Sequence, residues 1–326
     1  MNGVSIIICC YNSSTRIKKT LEYLSVQQFQ SNFNCEIIIV DNNCSDGTSE
    51  VSKQYWERLG CSIPFQIIKE PIPGLTWARI GGAKKAKYDY ILFCDDDNWL
   101  ARDYVNNAFL LLESNPGIGA LGGKTKEFFI NPSNTPIWFG NYKSSFAIGE
   151  QNPISGDVSK RKYLWGAGLI VRRKLFLFAM ELYPPLLSDR VANGLSSGGD
   201  SEICARILLS GYKLYYDNTL FLYHFIPEER LTNIYLERLM IGHQLAYKTL
   251  HIYWQYIDYC QHSFFIRLAK CIKDLAYNIY SLLIRRRYIK SNWYNLALYF
   301  KKYPILEYDT YKKVELISKK LKTYDW

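Results

Sequence analysis

The chain has 326 residues, of which 48% are hydrophobic, enough to bury the core of one large domain or of one domain with an appendage. Its net charge of +10 comes mostly from residues 226–326, which carry 17 Lys and Arg against 9 Asp and Glu, whereas residues 1–225 carry 23 against 21. The nine cysteines show no CxxC spacing, which argues against a disulfide framework or a zinc site. Neither a signal-peptide pattern nor a run of 18 uncharged apolar residues is found, so we expect no leader and no membrane-spanning helix.

Short β-branched runs alternate with helical patterns through the first hundred residues. Strands are predicted at 3–12, 35–43, 62–70 and 88–97, and helices at 13–29, 44–60 and 75–86. In the first helix Ile17, Leu21 and Leu24 share one face, and Ser13 or Ser14 is the predicted cap. Alternation in units of roughly thirty residues predicts an α/β fold, a parallel sheet covered by helices.

Polar and turn-forming residues follow these strands where each one ends. They are Tyr11–Asn12, Asp41–Asn42, Pro73–Gly74 and Asp95–Asp97. Right-handed crossovers place the carboxyl ends of parallel strands on one edge of the sheet, and ligands bind outside that edge. We therefore expect these residues to converge on one crevice.

Three adjacent aspartates end the fourth predicted strand, in the stretch YDYILFCDDDNWL at 88–100. Alternate residues of an extended segment share a face, so Asp95 and Asp97 are expected to point the same way. Mg²⁺ and Mn²⁺ prefer oxygen ligands and commonly bind one or two carboxylates together with phosphate oxygens. The pattern therefore favours a divalent metal beside a phosphorylated ligand. The alternative is a solvated acidic turn that caps the next helix through Asn98.

The rest of the chain is less regular. A strand is predicted at 117–125, an irregular excursion at 124–163, a strand or strand–helix entry at 164–176, and a helix followed by a strand within 198–218. The pattern is helical from about Leu231. Within 264–287 one narrow polar stripe steps by three or four residues, at Arg267, Lys270, Asp274, Asn278, Ser281 and Arg285. Because nearly all other positions there are apolar, this helix must be buried in protein or lipid. The predicted division is a domain at 1–228 and a basic, aromatic-rich helical region at 229–326.

Six motifs in order give residues 3–225 a resemblance to a known family. The motifs are VSIIICCYN, IIIVDNNCSDGT, PGLTWARIGG, FCDDDNW, WGAGLIVRR and GGDSEICARILLSGY. Together they resemble the inverting family 2 glycosyltransferases with the GT-A fold. The resemblance implies a mixed, mainly parallel sheet with helices on both faces, a nucleotide-sugar donor, and Mn²⁺ or Mg²⁺ as cofactor.

Position by position, the resemblance also implies site residues. Asp200 would be the general base, and Asp97 and His224 would hold the metal. The nucleotide sugar would be bound by Tyr11, Asn12, Asp41, Arg79, Asp95, Asp96, Trp165 and Gly166. Simpler interpretations stay open for several of these: Asp41 as a turn acceptor, Arg79 as a surface charge, and Asp200 as a cap of a helix that begins at Ser201.

Within the donor site, Tyr11 and Asn12 would line the base and ribose, and Asp41 would accept a hydrogen bond from the base. Arg79 would approach the base or the diphosphate, and Asp95 would face the ribose. Trp165 would stack on an acceptor ring, while Gly166 would let the backbone approach the sugar.

The chain departs from the family at three motifs. Gly199 stands before Asp200 where a glutamate is common, and Glu202 is a candidate to compensate. Cys9–Cys10 and Ile80 replace other common residues without removing a charge.

The expected function is transfer of a sugar, most simply from a UDP-sugar, to a saccharide or lipid-linked saccharide in surface polysaccharide synthesis. The alternatives are a polyprenyl-phosphate glycosyltransferase, which would normally bring spanning helices, and a non-catalytic nucleotide-sugar-binding protein. Nucleic acid is not an expected partner, because the basic residues are spread over apolar helices without a nucleic-acid motif. We expect the protein in the cytoplasm, with residues 229–326 at the membrane surface, packed on the domain, or in a homodimer.

Overall fold

The computed structural model describes residues 1–30, 33–187, 189–190, 197–263 and 308–323, together with scattered positions between 265 and 280. The strands are β1 (Val4–Cys10), β2 (Cys35–Asp41), β3 (Phe65–Lys69), β4 (Tyr90–Asp95), β5 (Asn98–Leu100), β6 (Ile118–Phe128), β7 (Gly156–Asp157), β8 (Ile170–Arg172) and β9 (Lys213–Phe225). The helices are α1 (Ile17–Ser25), α2 (Thr48–Leu59), α3 (Leu75–Lys85), α4 (Tyr104–Ser114), α5 (Phe139–Tyr142), α6 (Arg173–Glu181), α7 (Gly199–Leu209), α8 (Asn233–Gln261) and α9 (Tyr308–Leu321).

One sheet in the order β3-β2-β1-β4-β8-β6-β9-β5 holds the described strands, with β7 paired to β9. Strands β3, β2, β1 and β4 run parallel, while β8 is antiparallel to both of its neighbours. Strands β6 and β9 are parallel, and β5 closes the edge antiparallel to β9. The predicted fold class, a mixed and mainly parallel sheet with helices on both faces, is confirmed.

The β-branched runs are buried because both faces of the sheet are covered. Along β1, Ile7 joins the core beneath α3, α6 and α7, whereas Ile6 and Ile8 join the core beneath α1, α2 and α4. Alternate side chains of a strand point to opposite faces, so a strand between two cores is apolar throughout. This arrangement fixes the carboxyl ends of the parallel strands along one edge.

The predicted serine cap of the first helix is wrong. Helix α1 begins at Ile17, after Arg16, and no side chain caps its amino end. The Ser13 hydroxyl donates a hydrogen bond to the Asp96 carboxylate instead. The predicted apolar face is confirmed, because Ile17, Leu21 and Leu24 are fully buried.

Strand β5 was not predicted. The chain leaves β4 at Asp95, turns, and pairs Asn98–Leu100 with β9, so that Asn98 lies opposite His224. A strand of three residues is too short to show a period. The pairing still brings the acidic turn next to His224, which is 126 residues further along the chain.

Helix α8 packs on α7 and carries α9. Tyr253 of α8 and Val314 of α9 belong to the same apolar core as α3, α6 and α7, and the rings of Tyr256 and Tyr311 meet edge to face at 5.4 Å. In the part of the chain that the structure describes, no helix is both long and apolar enough to cross a bilayer. The six positions of the predicted polar stripe in 264–287 lie outside the described residues.

Candidate active site

The loop after β2 is organised by the Asp41 carboxylate. Its two oxygens accept hydrogen bonds from the Cys44 backbone N–H at 2.9 Å and from the Ser49 hydroxyl at 2.5 Å. Burial opposes ionisation, but these two bonds hold the pKa of Asp41 below its ordinary value. Asp41 therefore acts as a turn acceptor, and the hydrogen bonds that it accepts keep its carboxylate ionised.

Tyr11 and Asn12 lie on the turn that follows β1. Asn12 adopts a left-handed backbone with φ 51°, and its side-chain oxygen accepts a hydrogen bond from the Ser45 N–H at 2.9 Å. Tyr11 is 40% exposed. The first two loops of the sheet edge are thus joined to each other, and an open aromatic ring lies beside them.

The Asp97 carboxylate lies among cationic groups. One oxygen is 2.9 Å from Arg230 Nη1, and the other is 3.5 Å from His224 Nε2. Burial would raise the pKa of Asp97, but the charges of Arg230 and His224 hold it well below its ordinary value. Asp97 is therefore a buried, ionised carboxylate at the end of the central strands.

Asp95 and Asp96 have different surroundings. Burial raises the pKa of Asp95, Arg79 opposes that rise, and Asp97 adds to it. The Asp96 carboxylate instead faces α1, where it pairs with Arg16 at 2.6 Å and accepts the Ser13 hydroxyl. Asp96 thus joins the acidic turn to the start of α1.

Arg79 is buried. Its Nη1 lies 3.5 Å from Asp189 Oδ2, and its guanidinium lies over the Phe93 ring at 5.3 Å. Only 4% of the Arg79 side chain is exposed, so it is not the surface charge that the sequence left open.

Asp200 lies in the first turn of α7. One oxygen accepts a hydrogen bond from the Gly166 N–H at 2.9 Å, and the other accepts from the Ser201 N–H at 2.7 Å. The helix begins at Gly199, after Gly198, so the interpretation of Asp200 as the cap of a helix that starts at Ser201 is wrong. Asp200 instead benefits from the partial positive charge of the helix amino end.

The neighbours of Asp200 are packed tightly. A Cβ atom on Gly166 would lie 2.7 Å from Arg79 Nη2 and 3.3 Å from the Asp200 Cβ, so a larger residue there would have to displace the Arg79 guanidinium. The Trp165 ring is 7% exposed and lies beside Arg161 at 5.4 Å. Stacking of Trp165 on an acceptor stays a prediction.

The hypothesis that Glu202 compensates for Gly199 is wrong. The Glu202 carboxylate is 1% exposed and pairs with Arg206 at 2.8 Å. It also accepts hydrogen bonds from the Leu186 and Leu187 N–H groups and from the Tyr253 hydroxyl. All of this places Glu202 between α7 and α8 rather than at the sheet edge.

The acidic turn offers a small donor set for a divalent ion. Among the described residues, no three or more His, Cys, Asp or Glu side chains are grouped closely enough to hold one. Asp97 and His224 supply one carboxylate and one imidazole, and His224 Nδ1 is buried without a hydrogen-bond partner in the described part of the chain. These residues fit an ion that takes its other ligands from substrate phosphates or water, as Mg²⁺ commonly does.

Two charged residues of this region were not predicted from the sequence. Arg230 follows β9 on a short 3₁₀ turn, and Asp189 lies in the loop before α7. No motif surrounds either residue. A local signal exists only for Arg230, which lies six positions after His224 in an otherwise acidic turn.

Comparison with known proteins gives the family. The family model described as "Glycosyl transferase family 2" matches residues 5–175, more than half of the chain. The chain belongs to glycosyl transferase family 2. The match ends before Asp189, Asp200 and His224.

Individual relatives are more distant. Poly-beta-1,6-N-acetyl-D-glucosamine synthase of Staphylococcus epidermidis is 26% identical over 306 residues, which cover 87% of this chain and 70% of the synthase. The chain spans less than half of the length of the first three curated relatives that it matches, between 14% and 42%.

Two solved structures share the fold. S. aureus TarS 1–349 in complex with UDP-GlcNAc has a TM-score of 0.55 at 16% identity, over 96% of this chain and 79% of TarS. GalNAc-T7 with UDP, GalNAc and Mn²⁺ has a TM-score of 0.54 at 15% identity, over 78% of this chain and 51% of GalNAc-T7. At these identities the likeness establishes the GT-A fold alone.

Proposed function

We propose that the protein is an inverting glycosyltransferase that moves a sugar from a UDP-sugar to a saccharide or lipid-linked saccharide during surface polysaccharide synthesis. The observation that carries the proposal is the meeting of two acidic groups around Arg79. Arg79 is the charge that opposes the effect of burial on the pKa of Asp95 at the end of β4, and its Nη2 lies against Gly166, whose N–H donates to Asp200 at the start of α7 at 2.9 Å. The UDP-GlcNAc in the TarS structure and the polymer named for the S. epidermidis synthase support the substrate class.

The donor would lie along the carboxyl edge of β2, β1 and β4. Tyr11 and Asn12 would border its base and ribose, Asp41 would accept from the base, and Asp95 would face the ribose. The open ring of Tyr11 and the ionised state of Asp41 support these roles. Arg79, Trp165 and Gly166 complete the proposed donor site, whereas the Asp96 carboxylate faces Arg16 and Ser13 instead of the donor.

Asp97 and His224 would hold Mn²⁺ or Mg²⁺ at the diphosphate. A divalent ion there supplies charge stabilisation for the departing diphosphate. The charge of Arg230 holds the pKa of Asp97 low against the effect of burial, which keeps the carboxylate ionised and able to bind a cation. Arg230 can pass from Asp97 to a phosphate oxygen, because guanidinium groups pair with both kinds of anion.

Asp200 would act as the general base. As the acceptor oxygen forms its bond to the anomeric carbon, its proton passes to the Asp200 carboxylate. The bond between the anomeric carbon and the diphosphate oxygen breaks, and its electron pair leaves with UDP. Attack opposite the leaving group inverts the anomeric centre. The Gly166 N–H, donated at 2.9 Å, supports this role because it fixes one carboxylate oxygen.

The acceptor and the location are further parts of the proposal. We propose that the enzyme works in the cytoplasm at the inner membrane surface, where lipid-linked saccharides are found. Three apolar side chains at 56–71% exposure on α8, those of Ile234, Ile241 and Leu245, support contact with lipid or with a second copy of the chain. Flotation with anionic vesicles, beside a sedimentation measurement of the free protein, separates these two partners.

A panel of nucleotide diphosphates and their sugars, with and without Mn²⁺, tests the donor and the metal. A ligand that binds only the folded protein raises the thermal midpoint. We expect UDP and a UDP-sugar to raise it in the presence of Mn²⁺, and mass spectrometry to detect sugar transfer to an oligosaccharide. Transfer to a polyprenyl phosphate alone, or binding without transfer or hydrolysis, would replace this proposal by one of the alternatives.

A further inference from the structure

Asp189 occupies the space in which a side chain of residue 199 would lie. Gly199 is the buried first residue of α7. A Cβ atom added to it would collide with Asp189 Oδ2 and lie 2.7 Å from the Asp189 Cγ. The backbone of Gly199 does not have the positive φ that favours glycine. The glycine therefore makes room for a carboxylate that arrives from another segment.

Contacts lead from this carboxylate to the proposed base. Asp189 Oδ2 lies 3.5 Å from Arg79 Nη1, and Arg79 Nη2 lies 2.7 Å from the position that a Cβ atom of Gly166 would occupy. The Gly166 N–H in turn donates to Asp200. Asp189 thus reaches Asp200 through two intermediates, one guanidinium and one backbone amide.

The segment that carries Asp189 is attached to α3. The Leu75 N–H, at the start of that helix, donates to the Arg190 carbonyl at 3.0 Å. The Arg190 N–H donates back to Asp189 Oδ1 at 3.0 Å. The segment of Asp189 is therefore tied to the same helix that carries Arg79.

The pKa of Asp189 depends on its burial and on the charges of Arg79 and Asp200. Burial raises the pKa of Asp189, the charge of Arg79 opposes that rise, and the charge of Asp200 adds to it. The two carboxylates are close enough to repel, and the guanidinium between them offsets that repulsion.

We propose that Asp189 is a positioning residue of the transfer site, which holds Arg79 against Gly166 and so fixes the orientation of Asp200. The inference rests on the proposed function, since positioning has meaning only for a chain that transfers sugar. A purely structural Asp189 would neutralise the buried Arg79 and contribute to stability without any effect on turnover.

The first test removes the charge and keeps the shape. In Asp189→Asn we expect kcat for sugar transfer to fall by about 10- to 100-fold, because misplacement of a reacting group by about 1 Å can cost that much. The donor KM is expected to rise by a smaller factor than kcat falls, because Asp189 itself does not touch the nucleotide edge and acts there only through Arg79. An unchanged kcat, or an equal loss in kcat and donor affinity, overturns the inference.

The second test moves the carboxylate back onto residue 199. In Asp189→Ala/Gly199→Asp the new carboxyl carbon is one bond from the Cβ position and returns to nearly the same volume. The Cβ atom that position 189 keeps would lie 3.2 Å from the new Cβ, which needs only a small shift. We expect kcat within about 3-fold of the wild-type value, above the range expected for Asp189→Asn. The matched control Asp189→Ala/Gly199→Asn has the same size without the charge and is expected to stay as slow as Asp189→Asn. Equal recovery in both double variants would mean packing alone and would refute the inference.

A third measurement needs no activity. Gly199→Ala is expected to lower the thermal midpoint in the wild-type background, and by less in Asp189→Ala, because the second change removes the carboxylate that collides. Equal losses of thermal midpoint in the two backgrounds would refute the claim that a side chain at residue 199 and the Asp189 carboxylate compete for the same space. A wild-type chain that transfers no sugar removes the proposed function and this inference with it. A wild type that transfers, beside an Asp189→Asn variant of equal kcat, removes the inference alone.

Discussion

The two halves of the site are built by different rules. In the half formed by β2, β1 and β4, the candidate residues Asp41, Tyr11 and Asp95 each lie at the end of their own strand or one residue beyond it. In the other half, Asp189, Asp200 and His224 come from a loop, a helix start and an antiparallel strand pair. The first half, which we call the donor half, follows from strand direction alone. The second half, which we call the acceptor half, exists only after distant segments have packed.

The acceptor half contains the chemical step, so its loss should have the largest effect. We expect Asp200→Asn to lower kcat by about 10³-fold or more, which is the upper range for removal of a general base. UDP binding should stay within a few-fold, because Asp200 contacts Gly166 and Ser201 rather than the nucleotide edge. Initial rates and calorimetric titration with UDP measure the two quantities.

Asp217→Asn is the matched control for Asp200→Asn. Asp217 is a half-buried residue of β9 whose carboxylate accepts a hydrogen bond from the Thr219 N–H at 2.8 Å, and its variant should keep the wild-type rate. If Asp200→Asn loses UDP binding as severely as turnover, Asp200 is not the base.

The second-largest effect is on stability, and it concerns the buried contacts of Arg206 that hold α7, the helix of Asp200, in place. Arg206 is fully buried, pairs with Glu202, and donates to the carbonyls of Ala179, Tyr183 and Pro184. Arg206→Met would leave a buried carboxylate without its partner charge, which costs about 3–5 kcal/mol of unfolding free energy. Urea denaturation measures this loss of unfolding free energy.

An exposed pair serves as the comparison. Lys319→Met removes the partner of Glu315 on α9, where Lys319 is 69% exposed, and should cost less than about 0.5 kcal/mol. Similar losses in the two variants would mean that the Glu202–Arg206 pair does not stabilise the join between α7 and α8.

The donor half can be divided by two neighbouring aspartates. Asp97→Ala should abolish the part of UDP binding that depends on Mn²⁺, because it removes the proposed carboxylate ligand. Asp96→Asn should leave that part within about 3-fold, since its carboxylate faces Arg16 and Ser13. UDP titrations with Mn²⁺ and with EDTA measure both variants. If UDP binding still depends on Mn²⁺ in Asp97→Ala, or no longer depends on it in Asp96→Asn, the metal ligand is Asp96 rather than Asp97.

The smallest effect is on the loop that joins the starts of α1 and α2. Burial opposes ionisation of Asp46, but hydrogen bonds from Thr48 and Ser14 lower its pKa to about 2. A carboxyl whose folded pKa lies below its unfolded value adds stability at neutral pH and loses it as the pH falls through that folded value. Asp46→Ala should cost about 1 kcal/mol at pH 7, after allowance for solvent exposure.

Urea denaturation between pH 7 and pH 3 tests this dependence. The difference between wild type and Asp46→Ala should shrink below about pH 4, the ordinary range for an aspartate. A difference that is constant across this range would assign the effect to the helix start rather than to the charge of Asp46.

The sequence by itself determined the parallel strands β1 to β4, their alternation with helices, and the polar residues at the strand ends. Side-chain period and strand direction are local properties, so Asp41, Asp95 and Asp97 could be placed on one edge without coordinates. The motifs also pointed to the family. The Ser13 cap and the role of Glu202 were wrong, because each side chain found a stronger partner outside its predicted place.

Tertiary structure alone decided which charges meet. The pairing of β5 with β9 places His224 beside Asp97, and the loop before α7 puts Asp189 into the space left by Gly199. Local periodicity carries no information about such contacts, since they depend on chain segments that come together only when both cores close. Gly199 looked like a missing carboxylate in the sequence, whereas in the fold a carboxylate from another segment occupies its place.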